Sequence, residues 1–269
     1  MTLGHSISGN AGGPLVVLLH GFLGSRRDWS DVVDSLGATF RCLTIDLPGH
    51  GESLGGVEAE YTIPSAATAV IDLIDHFDAA SFSLVGYSMG GRLALYLSSI
   101  YAMRIDALVI ESASPGLITA EERRARREHD ERWVGLLESG DVDAFLDAWY
   151  GQPLFKSIAA RPDLLESLCR ERSKQDIREL ARALRGLGVA NQLPLWDEWR
   201  ANHIPTLLIA GALDEKYCAI ARQMAAECAS AEVAIVSNAG HNVHVEASSA
   251  YNSAIVSFLN RTLNPKSQH

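Results

Sequence analysis

Features of disulfide-rich, zinc-binding or membrane proteins are scarce in this sequence. Its four cysteines, Cys42, Cys169, Cys218 and Cys228, form no C-x-x-C pair. Reduced thiols therefore fit better than a disulfide framework or a zinc site. No apolar run reaches the roughly 18 residues that span a membrane, and the first residues lack the basic and then apolar stretch of a signal peptide. We expect a cytoplasmic protein.

Positive charge is also in short supply. The chain has 23 Lys and Arg against 33 Asp and Glu, which gives a formal net charge of −10. This balance disfavours nonspecific binding to nucleic acid or to anionic membranes, but it leaves room for a local basic pocket. The content of 47% apolar and 21% charged residues is typical of globular proteins. The length of 269 residues suits one large α/β domain, or one domain with an insertion.

Short apolar runs recur along the chain and contain little polar alternation, which is typical of strands buried on both faces. Helical patterns lie between several of them, at 63–77 and 90–102. This alternation predicts a mostly parallel, doubly wound sheet with right-handed crossovers. The predicted strands are 15–20, 41–47, 81–87, 105–112, 205–211 and 232–238.

The alternation of strand and helix breaks after residue 112. Residues 113–203 carry helical patterns and no convincing strand, and the strand pattern resumes after Ile204. We interpret 113–203 as a helical lid inserted into a core formed by 1–112 and 204–269. Ligands of open α/β sheets bind at the carboxyl ends of the strands, so an insertion over that edge would cover the site.

The stretch Gly86-Tyr-Ser-Met-Gly90 matches G-x-S-x-G and lies between a predicted strand and a predicted helix. Flanking glycines allow the sharp turn that exposes a nucleophilic serine at the edge of such a sheet. In this context the motif predicts that Ser88 is a nucleophile-elbow serine rather than a loop residue.

A reactive serine needs a base, and the base needs an orienting carboxylate; this kind of fold supplies them in the order Ser, Asp or Glu, His. Asp214 follows the strand 205–211, with Glu215 as the alternative acid. His241 follows the strand 232–238 next to a glycine, with His244 as the alternative base. We predict Ser88, Asp214 and His241 as the catalytic triad.

An oxyanion hole needs two backbone donors near the serine. The N–H of Met89, directly after the nucleophile, is one expected donor. The second should come from the loop His20-Gly-Phe-Leu-Gly24, where we choose the N–H of Phe22. We expect His20 to support this loop rather than to transfer protons.

Five segments together resemble the α/β-hydrolase superfamily: H-G-F-L-G (20–24), D-L-P-G-H-G-E-S (46–53), G-Y-S-M-G-G-R (86–92), the aspartate loop and the histidine loop. The resemblance extends from about Leu15 to Phe258 and implies the α/β-hydrolase fold. Only 14 residues precede the first clear predicted strand. We therefore expect the usual opening hairpin of the superfamily to be shortened or absent.

Within that superfamily the chain resembles the 2-succinyl-6-hydroxy-2,4-cyclohexadiene-1-carboxylate synthases of menaquinone and phylloquinone biosynthesis. The resemblance rests on G-Y-S-M-G-G-R-L-A-L (86–95), S-P-G-L-I-T-A-E-E-R (114–123), D-A-W-Y-G-Q-P-L-F (147–155) and L-R-G-L-G-V-A-N-Q-L-P-L-W (184–196). It implies a carbon–oxygen lyase that removes a ring proton from a tricarboxylate and expels pyruvate, with the triad as the base. It implies no metal and no organic cofactor.

The resemblance also implies which residues bind the substrate: Tyr87, Arg92, Arg126, Trp149 and Arg172. Position i+4 from the serine places Arg92 one helical turn beyond it, where it could reach the pocket or form a surface salt bridge. For the two lid arginines, Arg124 or Arg127 could replace Arg126, and Arg170 could replace Arg172. Trp133, seven residues after Arg126, favours an inward Arg126. Tyr87 and Trp149 could instead be packing residues.

Two other functions use the same features. A carboxylester or carbon–carbon bond hydrolase would use the same triad without needing several arginines in the pocket. A ligand receptor could retain the shell of a hydrolase, although no segment of the sequence marks a partner surface. Simple esters, carbon–carbon hydrolase substrates and the enolpyruvyl cyclohexene separate the three functions.

Overall fold

A seven-stranded sheet forms the centre of the molecule in the computed structural model, which describes residues 2–55 and 61–263. The predicted core also contains residues 1, 56–60 and 264–269, which lie outside the described part. The strand order is β1-β3-β2-β4-β5-β6-β7, and only β1 runs antiparallel to its neighbour. The strands are β1 His5–Gly9, β2 Leu15–Leu19, β3 Arg41–Ile45, β4 Phe82–Tyr87, β5 Ile105–Glu111, β6 Thr206–Gly211 and β7 Ala231–Val236.

The predicted parallel sheet is confirmed, and its buried strands account for the apolar runs. Every residue of β2, β4 and β6 is buried, because helices cover both faces of the sheet. Along β2 the alternate side chains enter different clusters: Val17 and Leu19 pack on one face, and Val16 and Leu18 on the other. Because this core covers both faces of the sheet, the loops that carry the predicted site residues lie at the carboxyl edge of the strands.

The opening hairpin is shortened, as expected: among the described residues a single strand, β1, precedes β2. This strand pairs antiparallel with β3, with Ile7 opposite Leu43. Its sequence, HSISG, is exposed along its whole length, so it lacks the apolar signal that marks the other strands. An exposed edge strand needs only backbone hydrogen bonds to join a sheet, which is why apolar patterning missed it.

Two layers of helices cover the sheet. α3 begins at Met89, directly after the serine turn, and contacts β4, β5 and β2. α10 begins after Asp214, whose side chain accepts a hydrogen bond from the backbone N–H of Tyr217 and so caps the helix. These helices of the core are α1 Ser30–Leu36, α2 Ile63–Asp75, α3 Met89–Ile100, α10 Glu215–Glu227, α11 Val243–Glu246 and α12 Ser248–Leu263.

Between β5 and β6 the secondary structure is helical. A capping box at Thr119 and Glu122 starts its longest helix. The segment has its own apolar cluster, which includes Val134, Phe145 and Leu180 and also takes in Leu23 of the loop after β2. Its α-helices are α4 Ala120–Glu138, α5 Val142–Tyr150, α6 Lys156–Ala159, α7 Pro162–Arg172, α8 Ile177–Leu187 and α9 Trp196–Arg200.

No described helix is both long enough and apolar enough to cross a bilayer.

Candidate active site

The serine turn between β4 and α3 is strained. Ser88 has φ +49° and ψ −105°, in the left-handed half of conformational space that non-glycine residues avoid. The strain persists because the surroundings are tightly packed: a Cβ on Gly90 would lie 2.1 Å from the carbonyl oxygen of Leu19. The turn therefore holds the Ser88 hydroxyl at the carboxyl edge of the sheet.

Three loops at that edge bring a serine, a histidine and an aspartate into hydrogen-bond contact. His241 Nε2 lies 3.2 Å from Ser88 Oγ, and His241 Nδ1 lies 2.7 Å from Asp214 Oδ2. Asp214 and His241 are both buried. A carboxylate on Nδ1 favours the tautomer that leaves Nε2 free to accept the serine proton. The arrangement can deprotonate the Ser88 hydroxyl.

The alternative acid and base lie elsewhere. Glu215 is exposed in the first turn of α10. His244 is paired with Glu111, with 2.8 Å between Nδ1 and the carboxylate, and it is His241 that contacts Ser88 Oγ. Geometry therefore favours Asp214 and His241 over both alternatives.

The loop after β2 lies directly against the serine. A Cβ on Gly21 would lie 3.5 Å from the Cβ of Ser88, and Phe22 and Met89 line the same pocket as the serine. The N–H groups of the residues that follow Met89 and Phe22 form hydrogen bonds within the protein. Gly90 donates to the carbonyl of His20, and Leu23 donates to His50 Nε2.

Two buried histidines hold this loop in place. His20 contacts the Gly21 carbonyl through Nδ1 and accepts the Leu47 N–H at Nε2, 2.9 Å away. His50 accepts the Leu23 N–H at 3.2 Å. Burial lowers the pKa of His20, and it lowers the pKa of His50 to about 3, helped by the nearby His20. Both rings are neutral at physiological pH, which matches the supporting role expected for His20.

A cavity of about 120 Å³ lies between the serine and the lid. Among the described residues that line it, none is Asp or Glu, whereas Arg92, Arg126 and Lys216 all contribute to its wall. In a chain with net charge −10, this wall is a local concentration of positive charge. A site of this kind selects anionic ligands. The volume is below the roughly 300 Å³ of common ligand sites, so we expect the lid to shift when a ligand enters.

Arg92 is the deepest of the three cations. It is 7% exposed, and its Nη2 donates to the carbonyl of Leu187 in α8 at 2.7 Å. Its Nη1 is buried and has no hydrogen-bond partner among the described residues. Burial lowers the pKa of Arg92 to about 10, so the group is still charged at neutral pH. A buried, unpaired guanidinium N–H facing a cavity is a donor available to an anionic ligand.

Arg126 and Lys216 lie nearer the solvent. The Arg126 side chain is 32% exposed and donates to Asp130 at 2.7 Å, whereas Arg124 and Arg127 are exposed on α4. Lys216 lies in the first turn of α10, with its ammonium 5.3 Å from the centre of the Tyr217 ring. Partial burial, together with the charge of Arg126, lowers the pKa of Lys216.

Trp149 and Tyr87 both line the cavity. The Trp149 ring lies 5.2 Å from the ring of Phe22 and 5.2 Å from that of Trp133, so it is part of an aromatic wall. Tyr87 is buried under the serine turn, 5.5 Å from the ring of His241. Burial raises the pKa of Tyr87 well above its usual value, and the charge of Glu111 adds to this, so the phenol stays protonated.

Arg172 is the one predicted substrate-binding residue that does not line the cavity. Its guanidinium makes two hydrogen bonds of 2.7 Å to the carboxylate of Asp28; the Arg172 side chain is 6% exposed and that of Asp28 is 11% exposed. Burial alone would lower the pKa of Arg172, but Asp28 outweighs it and raises the pKa. Gln175, just after α7, continues the contact by donating to the carbonyl of Gly24. Arg172 is thus paired with a carboxylate of the protein itself. These contacts attach α7 to the loop that carries Phe22. The alternative, Arg170, is exposed and pairs with Glu166.

Away from this site the described residues form a second cleft but no metal-binding cluster. Within residues 2–55 and 61–263 there is no cluster of three or more His, Cys, Asp or Glu side chains that could hold a metal ion. A larger cleft, of about 460 Å³, lies between the end of α3 and α9, and its wall includes the almost fully exposed Met103. None of the three triad residues lines that cleft.

Sequence reasoning overlooked Lys216, His50 and Glu111. A lysine in the first turn of a helix interacts unfavourably with the helix dipole. Lys216 has this placement next to the proposed triad acid, which was a signal that it has a functional role. His50 lies in the quoted segment D-L-P-G-H-G-E-S, but its contact with Leu23 spans 27 positions. A glutamate after the apolar run Ala107–Ile110 was the corresponding signal for Glu111.

Known proteins resemble this chain over most of its length. A family profile described as alpha/beta hydrolase fold matches residues 14–248. A putative 2-succinyl-6-hydroxy-2,4-cyclohexadiene-1-carboxylate synthase from Bacillus subtilis is 35% identical, covering 91% of this chain and 89% of that protein. The synthase of that name from Klebsiella pneumoniae is 34% identical over 91% and 93% of the two chains. The solved structure of MenH from S. aureus superposes with a TM-score of 0.92 at 30% identity and covers 97% of this chain and 99% of that one. The chain belongs to the α/β-hydrolase-fold family and, within it, to the 2-succinyl-6-hydroxy-2,4-cyclohexadiene-1-carboxylate synthases.

Proposed function

We propose that this protein is a carbon–oxygen lyase that eliminates pyruvate from 2-succinyl-5-enolpyruvyl-6-hydroxy-3-cyclohexene-1-carboxylate and forms 2-succinyl-6-hydroxy-2,4-cyclohexadiene-1-carboxylate. The observation that carries the proposal is the wall of the serine pocket, where three cations occur and no carboxylate is found among the described lining residues. The substrate has three carboxylates, so its charge matches this wall. The family membership supports the same reaction.

The bond changes follow from the two chemical names. The proton to be removed lies on the ring carbon that carries the succinyl ketone, because a new double bond of the product begins there. Its electron pair moves through the ring to the carbon that bears the enolpyruvyl ether, whose carbon–oxygen bond breaks. The departing enolpyruvate gains a proton and becomes pyruvate, so no oxidant or cofactor is consumed.

Ser88 serves as the base in this scheme. As its Oγ takes the ring proton, its own proton passes to His241 Nε2, 3.2 Å away, while Asp214 stabilises the imidazolium. His241 later returns the proton to the leaving group. Negative charge builds on the ketone oxygen during proton removal, and the N–H groups of Phe22 and Met89 are our choice of donors to it.

The three pocket cations would divide the carboxylates of the substrate among them. Arg92 offers a buried guanidinium N–H, and Arg126 and Lys216 offer partly exposed charges. Trp149 and Tyr87 would pack against the ring. Because Arg172 is paired with Asp28 and does not line the cavity, whereas Lys216 does, we assign the third cation to Lys216 in place of Arg172. We propose that Arg172 supports the oxyanion loop.

We place this reaction in the cytoplasm, in the biosynthesis of menaquinone or phylloquinone. The four cysteines are all unpaired, as in proteins of a reducing compartment.

The test is pyruvate release from the enolpyruvyl substrate, followed with a coupled lactate dehydrogenase assay. We expect release that depends on Ser88, together with the absorbance of the conjugated diene. Parallel assays with simple esters and with carbon–carbon hydrolase substrates serve as controls. Ester cleavage without pyruvate release would show that the protein is a hydrolase and not a lyase. Binding of the substrate without any turnover would indicate a receptor.

A further inference from the structure

A buried carboxylate behind the triad has no part in the scheme above. Glu111, the last residue of β5, is 0% exposed. Its backbone carbonyl accepts the N–H of Ser88 at 2.9 Å. A charged side chain is rarely placed in such a position unless it forms specific hydrogen bonds, because burial of an unpaired carboxylate is costly.

Two hydrogen-bond donors to that carboxylate lie on the histidine loop, and the hydroxyl of Tyr251 in α12 also interacts with it. Its two oxygens receive the backbone N–H of His244 at 3.1 Å and the His244 Nδ1 at 2.8 Å. His244 is three residues after His241 and is the second residue of the short helix α11, which begins at Val243. One residue, Glu111, therefore holds the nucleophile through its backbone and the histidine loop through its side chain.

The His244 ring carries this connection to the base. It stacks on the indole of Trp29 at 4.5 Å between ring centres and meets the ring of Tyr87 edge-on at 5.0 Å. Tyr87 in turn packs 5.5 Å from the ring of His241. The ring of His241 thus rests on a buried aromatic stack, and the position of that stack depends on the Glu111 carboxylate.

A second carboxylate holds the other side of the same loop. Glu246 accepts the N–H of Gly240 at 2.9 Å and the N–H of Asn242 at 3.1 Å, on either side of His241. Glu246 fixes the loop within itself, because all three residues belong to it. Among the contacts of the described residues, it is the hydrogen bonding of His244 to the Glu111 carboxylate that joins the serine turn to this loop through a carboxylate.

We propose that Glu111 is a positioning residue for catalysis, which sets the distance between Ser88 Oγ and His241 Nε2 by joining the serine turn to the histidine loop through His244. The inference rests on the triad of the proposed function. It predicts that loss of the Glu111 charge slows proton transfer between Ser88 and His241, while ligand binding by the pocket cations is unchanged.

The first test is Glu111→Gln. The amide keeps the size of the side chain and loses the charge-assisted bonds to His244. We expect kcat for pyruvate release to fall by about tenfold to a hundredfold, the range that small misplacements of catalytic groups produce. KM should stay within about twofold, because Arg92, Arg126 and Lys216 are not touched. A rise in KM with unchanged kcat would overturn the proposal.

The second test does not depend on the lyase reaction. Phenylmethanesulfonyl fluoride reacts when a serine Oγ displaces fluoride from sulfur and its proton passes to the neighbouring histidine. The rate of this covalent inactivation therefore reports the alignment of Ser88 and His241. It should fall in Glu111→Gln by a factor similar to that in kcat. A wild type that is sulfonylated but releases no pyruvate would refute the proposed function alone; a wild type that does neither would refute both.

A control variant separates alignment from loss of stability. Thr206 is buried at the start of β6, where its hydroxyl donates to the carbonyl of Ile204, far along the strand from the catalytic edge. Thr206→Val should lower the melting temperature and leave both rates unchanged. If the two variants lose rate in proportion to lost stability, Glu111 has only a structural role and the proposal is wrong.

A double variant supplies the last readout. In a His241→Ala background the serine has no base to be aligned with, so Glu111→Gln should cost little further activity. Full additivity of the two losses would show that Glu111 acts independently of His241, which would also overturn the proposal.

Discussion

The two walls of the active-site cavity are built differently. On the sheet side, Asp214 and His241 are buried, and hydrogen bonds hold their loops: His241 Nδ1 contacts the Asp214 carboxylate, and Gly240 donates its N–H to Glu246. On the lid side, Arg126 is 32% exposed and has one carboxylate partner, Asp130. The sheet edge is organised before any ligand arrives, whereas the lid wall can adjust to one. The difference indicates that chemistry is assigned to the rigid wall, and recognition is shared between the two.

The largest loss should come from the rigid wall. Ser88→Ala and His241→Ala should each lower kcat by about a thousandfold or more, because each removes part of one proton-transfer unit. The double variant should lose little more. Steady-state kinetics of pyruvate release measure all three. Asp214→Asn should be far more damaging than Glu215→Gln, and the reverse order would show that the acid is misassigned.

A second variant removes a contact between the lid helix α7 and the segment after β2, away from the cavity itself. Arg172→Ala leaves the buried carboxylate of Asp28 unpaired, which typically costs about 3–5 kcal/mol of unfolding free energy. Urea unfolding at pH 7 measures this loss. Replacing both partners, as in Asp28→Leu with Arg172→Met, should recover much of it, because no uncompensated charge is left in the interior. An Arg172→Ala protein of wild-type stability with a strongly raised KM would instead make Arg172 a substrate ligand.

The same contrast determines how far the sequence alone could predict the site. Ser88 and Asp214 follow buried strands, and His241 follows the half-buried strand β7. Because the carboxyl ends of parallel strands meet at one edge, local patterns predicted that the three residues lie close together. Arg172 and Asp28 are 144 positions apart. No local pattern records such a pairing, so the contact with Asp28 could not be predicted, and only the family resemblance pointed to Arg172.

The fold shows the same limit. Strands with apolar residues on both faces were predicted to within about two residues at either end, since burial shapes their composition. The exposed strand β1 was missed, because its place in the sheet depends on backbone pairing with β3 rather than on side chains. Lys216 was missed for a related reason: only the packed structure brings the start of α10 close to Arg126 on α4.

The third prediction tests recognition from the rigid wall. Arg92→Ala should reduce kcat/KM by about tenfold to 150-fold, since a charge-assisted bond to a desolvated carboxylate contributes about 1.5–3 kcal/mol. Arg92→Lys should restore only part of this, because an ammonium cannot reproduce the planar guanidinium that also donates to Leu187. Kinetics are to be measured on variants whose folding is checked by circular dichroism. Wild-type kcat/KM in folded Arg92→Ala would remove Arg92 from the binding site.

The smallest effect should come from the cation nearest the solvent. Lys216→Met keeps an apolar side chain and removes the ammonium that lies over the Tyr217 ring. We expect kcat to stay the same and KM to rise by about two- to fivefold, in line with the 0.2–1 kcal/mol of exposed ion pairs. An exposed charge also attracts an anionic substrate through solvent, and salt screens that attraction within about 10 Å at 0.1 M. The dependence of kcat/KM on ionic strength should therefore be weaker in Lys216→Met than in the wild type. Lys174→Met is the matched control, because Lys174 is exposed, pairs with Glu171 and does not line the cavity. If the control and Lys216→Met keep the same salt dependence as the wild type, Lys216 plays no part in substrate capture, and the third carboxylate must be bound by another residue.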